Sequence, residues 1–166
     1  MALRVFLSTG APHLPLQTAF LQRLEATLRG HGLSPVTLGR GEYDHRNPMQ
    51  AISDRMKDCQ GAVIVGLERR YSPQAIERRG SRDRTVIRNL ITATPWNHLE
   101  AGMAFQLRLP LLVLRERKVH AEGILDPELS AYFVFSFNLR AEAVEFSTGL
   151  KGAIRSWRGA VRASSR

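Results

Sequence analysis

The sequence holds one cysteine, Cys59, so no internal disulfide can form and the chain must rely on its core. No apolar run approaches the roughly 20 residues that a membrane-spanning helix needs. The opening stretch Met1-Ala2-Leu3-Arg4-Val5-Phe6-Leu7 is too short and wrongly flanked for a secretory leader, and it reads as a first strand. These features imply a cytoplasmic protein with no membrane partner. Aromatic residues make up only 7% and fall mostly at core spacing, so stacking platforms for single-stranded nucleic acid are not evident.

Familiar site motifs are missing too. No G-x-G-x-x-G follows the first strand, which argues against dinucleotide binding of the usual kind, and no G-x-x-x-x-G-K-[ST] phosphate loop occurs. A phosphoreceiver would need acidic residues after strand one and an aspartate after strand three, where this chain has Ser8-Thr9 and Gly66. The five histidines (13, 31, 45, 98 and 120) have no metal-ligand spacing beside Cys59, and no G-x-S-x-G elbow is present. Neither a metal nor a cofactor is expected.

What is present is an ordinary globular balance of 43% hydrophobic and 23% charged residues in 166 positions, enough for one domain over residues 1–166. The formal charge is +9, and almost all the excess is arginine. Arginine forks suit phosphate and carboxylate, although the same charges can simply be solvated.

Hydrophobic spacing gives the order of elements. Residues 3–7 and 61–66 are apolar enough for strands buried on both faces. Phe20, Leu21, Leu24 and Leu28 mark a first helix that stops at residues 30–32, and residues 35–38 form a short second strand. Asn47-Pro48 starts a second helix whose core face is Met49, Ile52, Met56 and Cys59. Thr94-Pro95 starts a third, and residues 110–114 and 132–137 supply two more strands. A last helix carries Phe146, Leu150, Ile154, Trp157 and Val161, and residues 163–166 should fray. Residues 67–93 are an insert with seven arginines (69, 70, 78, 79, 82, 84 and 88), long enough to be a lid or a disordered segment.

Strands alternating with helices predict a doubly wound, flavodoxin-like α/β domain with a five-stranded, mostly parallel sheet. Its ligand belongs beyond the carboxyl ends of the strands. There Ser8-Thr9-Gly10, Gly39-Arg40, residues 66–70 and Arg115-Glu116 should converge.

The chemical candidate is in Trp96-Asn97-His98-Leu99-Glu100-Ala101-Gly102-Met103-Ala104. Trp96 and Glu100 are four apart and share a helix face. A carboxylate one turn into a helix is favoured by the dipole and stays ionised unless it is buried. The bland alternative is a core tryptophan beside a surface glutamate. Gly102 is costly inside a helix and implies close approach of a backbone or a ligand. His98 is a possible second acid–base group or an exposed side chain.

This segment resembles the third-helix motif of TIR domains, in which Trp-x-x-x-Glu places the catalytic glutamate of the NAD-cleaving members. Glu100-Ala101-Gly102-Met103-Ala104, followed by Leu109-Pro110-Leu111-Leu112-Val113-Leu114, also resembles nucleoside 2-deoxyribosyltransferases and related nucleotide N-glycosidases. Val5-Phe6-Leu7-Ser8 and Asp58-Cys59-Gln60-Gly61-Ala62-Val63-Ile64-Val65 are similar to the first and third strands of both. The likeness spans roughly residues 3–115, and the insert is longer than in either family.

The resemblance implies cleavage of an N-glycosidic bond in NAD or a nucleotide, which is substrate rather than cofactor. Glu100 would be the catalytic carboxylate that stabilises or attacks the oxocarbenium ion, or activates water. Ser8, Thr9 and Gly10 would line the sugar or base, Trp96 would stack on it, and Arg40, Arg46 and an insert arginine would hold phosphate. Asp44 is the candidate for an orienting carboxylate, and the poor match to the transferases' orienting residues favours hydrolysis. TIR-like proteins act in bacterial anti-phage defence and work as assemblies, which implies a homo-oligomer or a sensor partner. The competing readings are a nucleotide-binding or TIR-like assembly module without turnover and, less favoured, a nucleic-acid-associated protein.

Overall fold

Leu3–Thr9, Ala62–Gly66 and Leu111–Glu116 are mostly apolar, and the computed structural model sets them side by side at the centre of a sheet. The structure describes residues 2–37, 48–128 and 132–164. In chain order the elements are β1 (Leu3–Thr9), α1 (Pro15–Gly30), β2 (Leu33–Val36), α2 (Pro48–Lys57), β3 (Ala62–Gly66), β4 (Arg70–Glu77), β5 (Thr85–Thr92), α3 (Pro95–Gln106), β6 (Leu111–Glu116), β7 (Val134–Phe137), α4 (Leu139–Val144) and α5 (Thr148–Ser164). A short 3-10 helix, Gly123–Leu125, lies between β6 and β7.

The main sheet has the order β2-β1-β3-β6-β7, and every pairing in it is parallel. That is the flavodoxin-like order, with the direction of winding reversing at β1 and β3. Side chains alternate across it. Val5, Leu7, Val63, Val65, Leu112 and Leu114 meet the first core layer, with α1, α4 and α5. The alternate set, Phe6, Ala62, Ile64 and Val113, packs under α2, α3 and the 3-10 helix. Ser8 belongs to this second set, so its hydroxyl faces α3.

Local sequence explains several boundaries, including some that differ from expectation. The terminal helix is broken in two. Asn138 Oδ1 caps α4 by accepting from Arg140 N and Ala141 N, and Ser147 Oγ accepts from Leu150 N at the start of α5. Glu142 Oε2 accepts from Ser147 N at 2.8 Å and locks the corner, which leaves Phe146 between the helices and against Phe20. Ala163 and Ser164 continue α5 rather than fray. Met49 is exposed, because Ile52 and Met56 alone fill the core stripe of α2, whose expected cap Asn47 lies outside the described residues.

The largest departure is in residues 67–93. The expected alternative of a disordered segment is not seen there; β4 and β5 pair as an antiparallel hairpin, forming a second sheet of their own. Arg69 N donates to Thr92 O and His120 N to Ile91 O, and Ile91 packs on the second core, so the hairpin is rooted at its base.

Candidate active site

The carboxyl end of β1 and the first two turns of α3 meet at one polar cluster. Thr94 precedes the helix in an extended conformation and Pro95 occupies its first position, so α3 begins abruptly beside the sheet edge. Gly10, just past β1, lies near Thr94, whose Cγ2 would sit 3.6 Å from a Cβ placed there. Thr9 is half-buried, with its hydroxyl donating to Gly10 O.

Glu100 is only 7% exposed, which rules out the surface-charge alternative. Burial raises its carboxyl from 4.5 to about 7, and a hydrogen bond from Ser8 pulls more weakly in the other direction. The helix dipole does not keep this carboxylate strongly acidic, because desolvation outweighs it. At neutral pH the group is divided between its two forms, which suits a residue that must handle a proton or meet a developing positive charge.

Ser8 and Asn97 are each 1% exposed. Asn97 Nδ2 donates to Ser8 Oγ at 2.9 Å and to Ser8 O at 3.3 Å. The Ser8 carbonyl admits only a donor, which fixes the orientation of the amide. Ser8 Oγ accepts from Asn97, and its one proton is therefore directed to Glu100. This orientation leaves Asn97 Oδ1 buried without a hydrogen-bond partner among the described residues. A buried acceptor of this kind is costly, by about 1–3 kcal/mol, unless something else satisfies it.

Sequence reading missed Asn97. It pairs with Glu100 at i, i+3, a spacing as close on a helix as the i, i+4 of Trp96. Trp96 is 38% exposed and is not a core residue. Gly102 has open space where a Cβ would stand, so among the described residues no neighbouring backbone approaches it closely. His98 is half-buried against Gly123, where a Cβ would lie 2.9 Å from Nδ1 and where φ is +51°. Arg40, Asp44 and Arg46, together with Gly39, lie outside the described residues.

The other residues expected at this edge have structural partners. Arg115 donates to Ser136 Oγ and Val119 O, tying β6 to β7. Glu116, 3% exposed, accepts from Glu68 N at 3.0 Å, and Lys118 bridges Glu116 and Glu68. Hydrogen bonding to Glu68 and the charge of Glu116 raise the Lys118 ammonium. Buried Gln17 donates to Glu68 O and accepts from His13 N. These bonds hold the chain rigidly where it leaves β3 for the hairpin.

At the opposite, amino-terminal edge of the sheet a groove of about 770 Å³ runs past Arg4, Gln60, Arg108 and Pro110. Cys59 lines it, buried, with its thiol raised by desolvation. Among the described residues no three His, Cys, Asp or Glu side chains gather as a metal site. Among them, too, no helix is long and apolar enough to cross a membrane.

No protein-family model matches the chain, and no curated protein does. Among solved structures, the CMP N-glycosidase BcmB of Clostridium botulinum is similar, with a TM-score of 0.50 and 14% sequence identity, covering 86% of this chain and 99% of that one. The likeness is one of fold: an α/β domain with a five-stranded parallel sheet flanked by helices.

Proposed function

We propose that this chain hydrolyses the N-glycosidic bond of a nucleotide, with Glu100 as the central carboxylate. The observation that carries the reading is the buried carboxyl at the carboxyl edge of the sheet, hydrogen-bonded by Ser8 and raised to about 7. The fold likeness to a CMP N-glycosidase supports it. The bond between base and sugar breaks, and water supplies a hydroxyl to the sugar and a proton to the base. Positive charge builds on the ring, and a carboxylate against it is worth most in a site that excludes water. Asn97 Oδ1 is the acceptor for a substrate hydroxyl or amine, so Asn97 acts as a binding residue beside Glu100. Pyrimidine nucleoside monophosphates are the first substrates of this reading and NAD the next. Defence signalling, with assembly into oligomers or onto a sensor, is its cellular setting.

Product analysis tests it. Purified protein is incubated with CMP, the other nucleoside monophosphates and NAD, and free base is followed by chromatography. Base release that falls roughly a thousandfold or more in Glu100→Gln supports the reading. Release that survives the substitution sinks the role of Glu100. A second reading, a nucleotide-binding module without turnover, also draws on the orphaned Asn97 oxygen. It is favoured by a nucleotide-dependent rise in Tm without any product.

A further inference from the structure

The β4–β5 hairpin carries charge that the site does not use. Between residues 69 and 92 there are seven arginines against two acids, Glu77 and Asp83, a surplus of five out of the formal +9. The turn that joins the strands is Arg78-Arg79-Gly80-Ser81-Arg82-Asp83-Arg84. It is tied internally: Ser81 Oγ donates to Arg78 O, Asp83 N donates to Ser81 Oγ, and Asp83 lies 4.0 Å from the Arg78 guanidinium. Arg78 has φ +48° and Gly80 φ +87°, so the turn has a defined shape. Among the described residues none of the other six arginines is paired with a carboxylate.

Length decides between kinds of anion. Each strand has eight residues, which at about 3.4 Å per residue is a ribbon of about 27 Å. The register places Arg70, the Gln74–Arg88 pair and the exposed Ile76–Val86 pair along one face, leading to the arginines of the turn. A mononucleotide concentrates its phosphates at one point and cannot reach along this track. A polymer with regularly spaced phosphates can, and a two-stranded ribbon also fits the major groove of a duplex. The turn offers no apolar side chain to insert into a lipid surface.

We propose that the β4–β5 hairpin is a polynucleotide-binding arm. It leaves the sheet at the carboxyl end of β3, beside β1 and Ser8, so a strand gripped along it runs toward the edge that holds Glu100. Binding is separate from turnover, and its failure would leave the N-glycosidase reading standing.

The test is fluorescence anisotropy with labelled single-stranded DNA and RNA of about 20 nucleotides, and the matching duplex, over a salt series starting near ~50 mM. Three proteins are compared: the full chain, its Arg78→Ala/Arg79→Ala/Arg82→Ala/Arg84→Ala variant, and an Arg155→Ala/Arg162→Ala control on α5. The turn variant should bind at least tenfold more weakly, with the salt slope lowered by about 3 on single strands, while the control changes less than twofold. Unchanged melting curves show that the variants fold. Failure of the full chain to bind any of the three at the lowest salt overturns the proposal. So does equal loss in the control, which would mean diffuse attraction, or tighter binding to a poly-glutamate peptide, which would mean an acidic protein.

Discussion

The parallel sheet and the hairpin are built from opposite materials. The centre of the sheet, β3, is buried at all five positions and needs no polar side chain to hold its place. The hairpin has no fully buried residue in either strand and, among the described residues, is rooted at its base. An isolated two-stranded hairpin is marginal in water. The sheet thus sets stability and the position of Glu100, whereas the hairpin contributes surface. The lesson concerns where substitutions should be felt. A change in the sheet layers should cost stability first, and a change in the ribbon should cost little stability even when it removes charge.

The largest expected effect is in the first core layer. Phe20→Ala removes a ring stacked at 4.5 Å on Phe137 and should cost about 3–5 kcal/mol in urea unfolding. A cost under about 1 kcal/mol would break the contrast, because the layer would then be no more demanding than the ribbon.

Glu100→Gln should act in the opposite direction. The folded carboxyl is at about 7 against 4.5 unfolded, so the native state holds the extra proton between those values. Stability therefore falls as pH rises from about 4.5 to 7 and stays reduced above that. Removing the titration should stabilise the protein by up to about 3 kcal/mol at pH 8 and by little near pH 4. A pH-independent difference between the two proteins would show that Glu100 is not desolvated.

Ser8→Ala sharpens the same site. The hydroxyl is the one group that lowers the Glu100 carboxyl, so its loss should raise the midpoint further above 7. The pH profile of kcat/KM, or NMR titration of the carboxyl, reads the shift; a downward move contradicts the proton direction assigned to Ser8.

The smallest effect belongs to the ribbon. Ile76→Ala with Val86→Ala, both exposed, should change stability by less than about 1 kcal/mol, and hairpin amides should exchange with solvent well before those of β3. Protection of β4 equal to that of β3 would mean that the hairpin shares the global core.

How much of this was legible in the sequence follows from the same contrast. The mostly apolar runs at residues 3–7, 61–66 and 110–114 carry a strong signal because a strand buried on both faces admits few polar side chains. Sheet order and the position of Glu100 at the carboxyl edge come with them. The hairpin was hidden because charge and Pro73 interrupt its alternation, and exposed strands have no apolar face to reveal them. Asn97 was hidden for another reason: beside a tryptophan, the aromatic draws the pairing with Glu100. Spacing cannot tell i+3 from i+4 when both are helical neighbours, and burial separates them only after folding.

The bond from Asn97 to Ser8 joins residues 89 positions apart. During synthesis β1 leaves the ribosome long before its partner in α3 has been made. Until Glu100 is also out, the chain has no arrangement resembling the finished site. The polar cluster around Glu100 is therefore absent while most of the sheet is being made, and it appears only when β1 and α3 dock together.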